Sequence, residues 1–138
     1  MIETRAFKIN TKGFGDILDI TRHVSDEVEA SGISIGTATV FVSGSTAGIT
    51  TIEFESGAVN DLKKAIDRQA PVDIHCEHDA RWGDGNGFSH VRAALMGASF
   101  TVPFTGKKLC LGTWQQIILC DFDNRDRSRE ILVQIMGE

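Results

Sequence analysis

The sequence predicts an α+β fold: one compact domain over residues 1–138, largely antiparallel β-sheet layers with two main helices and one short helix. Three observations carry that prediction. Stretches rich in Val, Ile, Thr and Phe outnumber the helical stretches, so sheet dominates. Two segments place apolar residues at three- and four-residue spacings, the stripe of a helix lying on a core. In the C-terminal third, strand-like runs follow one another with only turn residues between them, which predicts an antiparallel meander.

Each element has a local reason. Thr4 to Ile9 alternates and forms the first strand, broken at Lys12-Gly13-Phe14-Gly15. Asp16 is placed to cap a helix whose stripe is Ile17, Ile20, Val24 and Val28, and Ser31-Gly32 ends it. Thr37 to Val42 and Ile49 to Phe54 are strands flanking Ser43-Gly44-Ser45-Thr46-Ala47-Gly48. A second helix, Ala58 to Gln69, carries Val59, Leu62 and Ile66 and stops before Pro71. Residues 73 to 87 sustain no period and form one long irregular segment, the kind of loop that carries function. A short helix, Ser89 to Met96, ends at Gly97. Phe100 to Phe104, Leu109 to Leu111, Trp114 to Phe122 and Ile131 to Met136 supply the meander.

Composition narrows the function. With 14 Lys+Arg against 19 Asp+Glu the formal charge is −5, which speaks against wholesale nucleic-acid binding. The uncharged run Ala30 to Ile52 holds nine Ser or Thr and four Gly, so it suits two strands and a turn, not a membrane span. Three widely spaced cysteines, Cys76, Cys110 and Cys120, fit thiols in a reducing compartment, and the first residues lack the apolar region of a signal peptide. The expected location is the cytoplasm.

The densest polar chemistry lies between His75 and His90, which holds three of the four histidines and Gly83, Gly85 and Gly87. His78 and His90 lie twelve apart across those glycines and can meet in space. Imidazole and carboxylate can bind a divalent metal, zinc or magnesium, or move protons near neutral pH, and glycines admit an anion to backbone amides. The segment Asp84-Gly85-Asn86-Gly87 also fits a plain tight turn, and it lacks the later oxygen ligands of a calcium loop. Cys76 is a nucleophile beside a histidine or a packed thiol.

Glu53, ending an otherwise uncharged strand, reads as a buried carboxylate that needs a metal, Arg or His. Arg125, Arg127 and Arg129 alternate onto one face, there to grip phosphate or to pair with Asp121, Asp123 and Glu130. Trp114 reads as core, and one of Gln115 and Gln116 as facing a ligand. No nucleotide P-loop, dinucleotide fingerprint, Cys-x-x-Cys pair or Gly-x-Ser-x-Gly elbow is present.

Taken in order, Gly44-Ser45-Thr46-Ala47, Thr50-Thr51-Ile52-Glu53, His78-Asp79, Asp84-Gly85-Asn86-Gly87, Ser89-His90-Val91-Arg92-Ala93, Leu111-Gly112-Thr113-Trp114-Gln115 and Arg127-x-Arg129 resemble the YjbQ-like family, from about Thr4 to Glu138. The resemblance implies a compact α+β protein, a homotrimer, whose site gathers His90, His78 and Glu53 as catalytic and metal-holding residues. It also implies an activity as a secondary thiamine-phosphate synthase, joining a pyrimidine diphosphate to a thiazole phosphate and releasing pyrophosphate. Asp84, Asn86, Gly87, Gln115, Arg127 and Arg129 would then hold the small phosphorylated molecule.

Two positions depart from the family pattern: many members carry histidine where this chain has Gly44 and Phe88. A metal-dependent hydrolase of a small phosphorylated substrate and a non-catalytic trimeric metal- or phosphate-binding protein are the competing expectations.

Overall fold

Two antiparallel sheets, not one meander, build the fold. The computed structural model describes residues 1–138 as β1 (Ile2–Thr11), β2 (Asp16–Asp19), α1 (Thr21–Ala30), β3 (Ile35–Val42), β4 (Ala47–Ile52), α2 (Ser56–Gln69), α3 (Glu77–Trp82), α4 (Gly87–Met96), β5 (Ser99–Thr105), β6 (Lys108–Leu109), β7 (Gln116–Asp121) and β8 (Arg127–Gly137). The larger sheet has the order β1-β8-β3-β5-β6 and the smaller β2-β7-β4. Only β5 and β6 follow the expected meander. The chain then crosses to the small sheet for β7 and returns to insert β8 between β1 and β3.

Side-chain alternation explains the layering. Along β8, Ile131, Val133 and Ile135 are fully buried, and they meet Ala38, Val40 and Val42 of β3 and Ile20, Val24 and Val28 of the first helical region in the main core. β7 is buried on both faces. Ile117 and Leu119 join that main core, whereas Ile118 and Cys120 join Ile17, Ala93 and Phe122 in a second cluster packed by α2 and α4. The small sheet is therefore a middle layer, and each fully buried Ile or Leu in it contributes roughly 1.5–3 kcal/mol of burial. Burial of Cys120 pushes its thiol up to about 12, with Asp121 adding to the rise and Lys63 opposing it. That cysteine is packing, not a nucleophile.

Several expectations change. The helix expected from Asp16 begins instead at Thr21, because Asp16–Asp19 pairs with β7, Ile17 against Cys120. Three- and four-residue spacing cannot separate a helix from a short strand whose hydrogen bonds come from a hundred residues away. Asp19 still serves the helix start, its Oδ1 accepting from the amide and hydroxyl of Thr21 at 2.9 and 2.6 Å. The irregular segment contains the one-and-a-half-turn helix α3, stopped by Gly83 at φ 73°. That makes four helices. No helix is long and apolar enough to cross a membrane.

Candidate functional site: a histidine pair at the start of α4

The start of α4 is fixed before its histidine is placed. Asp79 Oδ1 accepts from the Gly87 amide at 2.8 Å, and Ser89 turns back on the Asn86 carbonyl through both its amide, at 2.9 Å, and its hydroxyl, at 2.5 Å. A Cβ at Gly87 would run into the Cys76 side chain, so the close approach of these two segments requires glycine there. The inner face of α4 is anchored by buried Phe88, with the Arg92 guanidinium 5.2 Å from its ring centre. Arg92 in turn donates to the Ala70 carbonyl at 2.9 Å and to Asp67 at 3.0 Å.

This leaves His90 facing His78. Their ring centres are 4.5 Å apart at an interplanar angle of 46°. His78 Nδ1 is buried and has no hydrogen-bond partner. Asp79 Oδ1 stands 3.7 Å away, beyond hydrogen-bonding distance and already committed to Gly87. His90 also borders a pocket of about 380 Å³ whose other walls are Gly44, Ser45 and Ala47 before and at the start of β4 and the small residues Ala93, Ala94, Gly97 and Ala98. Small side chains on every wall are what leave the space open.

Beneath that pocket lies a network of buried charge. Arg129 grips Asp121 with Nε to Oδ2 at 2.7 Å and Nη2 to Oδ1 at 2.8 Å, and Nη2 also donates to Thr46 at 2.6 Å. Thr11 donates to Asp121 at 2.5 Å. Asp123 Oδ2 accepts from Thr46 at 3.1 Å, and its Oδ1 from Asn86 Nδ2 at 3.2 Å. The Asp123 carboxyl lies below the usual range: burial raises it, but bonds from Asn86, the Asn124 amide and Thr46, together with Arg127, outweigh burial. Gly44, at φ 137°, sits over this network, and a Cβ there would come 2.9 Å from Arg129 Nη1. Gly44 is thus a turn glycine and Phe88 a core phenylalanine in this chain.

The remaining candidates do not converge in one chain. Glu53 is exposed, not buried, because β4 ends at Ile52. It borders a separate cleft with Asp19, Phe54, Glu55, Trp114 and Gln116. Six residues of extended chain separate it from Ala47 of the histidine pocket, about 20 Å. Trp114 is 72 % exposed and precedes β7, so it is not core. Gln115 is turned inward, accepting from the Gly112 amide and donating to Thr51.

Arg129 is 3 % exposed and holds a structural ion pair, while Arg127 remains part-exposed, 3.6 Å from Asp123. Arg125 lies outside β8 and lines a polar cleft with Asp84, Asn86 and Asn124. No group of three or more His, Cys, Asp or Glu is placed to hold a metal ion in the single chain. His78 and His90 are the two imidazoles brought together, and the buried Nδ1 of His78 has no hydrogen-bond partner.

Asn124 was not singled out by the sequence, and the bonds that Asp79, Thr46 and Asp123 make around the start of α4 were not foreseen. Asp121 and Asp123 alternate at the end of an apolar strand as Arg127 and Arg129 do at the start of the next, and that matched alternation was the available signal.

An antiparallel two-sheet α+β domain with a paired-histidine pocket beside a helix start is the class that fold and site define. Within that class the chain belongs to the family described as UPF0047 protein YjbQ-like, whose model matches residues 5–138. A UPF0047 protein of Methanothermobacter thermautotrophicus is 36% identical over 137 residues, covering 99% of this chain and 94% of the relative. The UPF0047 protein YugU of Bacillus subtilis is 34% identical over 96% of this chain and 98% of its own. Among solved structures, a YbjQ-like protein of unknown function from Sulfolobus solfataricus superposes with a TM-score of 0.90 at 32% identity, covering 100% of both chains. A hypothetical protein from Aeropyrum pernix matches with a TM-score of 0.90 at 28% identity over 99% of each.

Proposed function

We propose that this protein is a transferase of small phosphorylated molecules, with the thiamine-phosphate-synthase-like reaction as its activity and a pyrimidine diphosphate and a thiazole phosphate as substrates. The observation that carries this reading is the His78–His90 pair, 4.5 Å apart with an unpartnered buried nitrogen, beside an open pocket. Departure of pyrophosphate from the pyrimidine methylene carbon breaks a C–O bond and builds negative charge on the leaving oxygen. His90 delivers a proton to that oxygen, and His78 holds the neighbouring phosphate. The alcohol or amine nucleophile of protein chemistry is not needed, since the thiazole nitrogen supplies the electron pair.

In the alternative arrangement His78 and His90 would hold a divalent ion, zinc or magnesium, and such an ion would supply charge neutralisation of the diphosphate in place of the proton. Glu53 reaches that site only from a second copy of the chain, which fits a homotrimer with the site at the contact between copies. Gln115, packed on Thr51, and Arg127, beside Asp123, act from the protein side by holding β4 and the β7–β8 turn.

The test is pyrophosphate release measured with and without the thiazole phosphate. Release that requires both substrates and is lost in His90→Ala supports the transferase. Release without the thiazole phosphate makes the protein a hydrolase. One observation favours a third reading: Phe88 is buried and Gly44 has no side chain, so neither adds a ligand. Ligand-dependent rise in melting temperature with no turnover would establish that non-catalytic binder.

A further inference from the structure

The geometry points to Asp123 as the positioning residue of the histidine pocket, acting through Asn86 and Thr46. This rests on the pocket being the ligand site proposed above. Asp123 is 2 % exposed on the turn that follows β7. Its Oδ1 accepts from Asn86 Nδ2 at 3.2 Å and from the Asn124 amide at 2.8 Å, and its Oδ2 from Thr46 at 3.1 Å. Thr46 lies between Ser45 and Ala47, which line the pocket, and Asn86 stands one helical turn before His90. One carboxylate therefore joins the turn on one side of the pocket to the helix on the other. The same turn makes a second tie, Asn124 Nδ2 to the Asp84 carbonyl at 2.9 Å.

The amide orientation follows from the carboxylate. An ionised carboxylate only accepts, so Asn86 must offer its NH₂ group to Asp123, and a flipped amide would set two oxygens against each other. Asn86 Oδ1 is thereby left buried and without a partner. The bond to Asp123 therefore fixes the orientation of the residue from which α4, and His90 with it, begins.

The experiment needs no ligand. Imidazole ¹⁵N resonances of His78 and His90 are followed by NMR in the full chain for wild type, Asp123→Asn, Asn86→Ala and Thr11→Val. Asp123→Asn and Asn86→Ala are expected to move the His90 resonances while far-UV circular dichroism stays unchanged. Thr11→Val, which removes bonds to Asp121 and to the Arg127 carbonyl and none to Asp123, is expected to leave them in place. Unmoved imidazoles in Asp123→Asn, or equal movement in Thr11→Val, overturn the positioning role. If Asp123→Asn does not fold, unmoved His90 resonances in Asn86→Ala overturn it.

Discussion

The two ends of β4 handle carboxylates in opposite ways. At the Ala47 end, Asp121 and Asp123 are buried, and every oxygen is answered by Arg129, Thr11, Thr46, Asn86 or a backbone amide. At the Ile52 end, Glu53 is exposed, while its neighbours Glu55 and Asp19 accept from the helix starts of α2 and α1. The difference teaches that the acid suited to act on a ligand is the one the fold has not used. Buried acids must be paired, because an unpaired buried charge is costly, so they shape the pocket. The free acid sits about 20 Å away along the strand, out of reach of the histidines of its own chain.

Breaking the histidine end should have the largest effect. His90→Ala is expected to lower pyrophosphate release by roughly 10²–10⁴-fold, the usual worth of a positioned acid, with the melting temperature close to wild type. Activity within a factor of two would remove His90 from the reaction. Next comes the buried pair. Arg129→Met should cost about 3–5 kcal/mol in urea unfolding, because Asp121 is left charged and alone, and pairing it with Asp121→Leu should recover most of the loss. A small loss in the single variant would mean that the network is open to water.

The comparison between the ends sharpens with Glu53→Gln. If the site is shared between copies, activity falls about tenfold or more while unfolding is unchanged. Unchanged turnover would leave Glu53 a surface residue. A smaller effect concerns acid. Because the Asp123 carboxyl is held low in the folded state, its contribution to stability is present above its ordinary value of 3.8 and is lost as pH falls through the lower folded value. Urea midpoints should therefore drop below about pH 4, and Asp123→Asn should flatten that drop; an identical acid limb would contradict the sign. The smallest effect belongs to Glu55, whose carboxyl is lowered by the amides of Gly57 and Ala58. Glu55→Ala should raise amide exchange at those two residues with little change in the rest of the molecule.

How much was legible varied with the range of the cause. The strand at β1, the helix ending at Ser31, the second helix before Pro71 and the helix ending at Gly97 rest on neighbours a few residues away, and they stand close to where periodicity placed them. The His78–His90 meeting was also legible, since glycines let the segment between them fold back. β2 was hidden because its partner strand lies near residue 120. Trp114 was misjudged because an apolar run predicts burial but not where β7 begins.

Residue order alone determined the class of fold, the two histidines that meet and the family, because alternation, glycine placement and motif order are local properties of the chain. Tertiary structure alone decided that β7 is buried on both faces, that Arg129 is structural and Glu53 free, and that Asp123 joins the two walls of the pocket. Those outcomes depend on which groups meet across tens of residues and which are cut off from water. Desolvation acts on positions in space, so a carboxylate's role is set by its surroundings and not by its place in the chain.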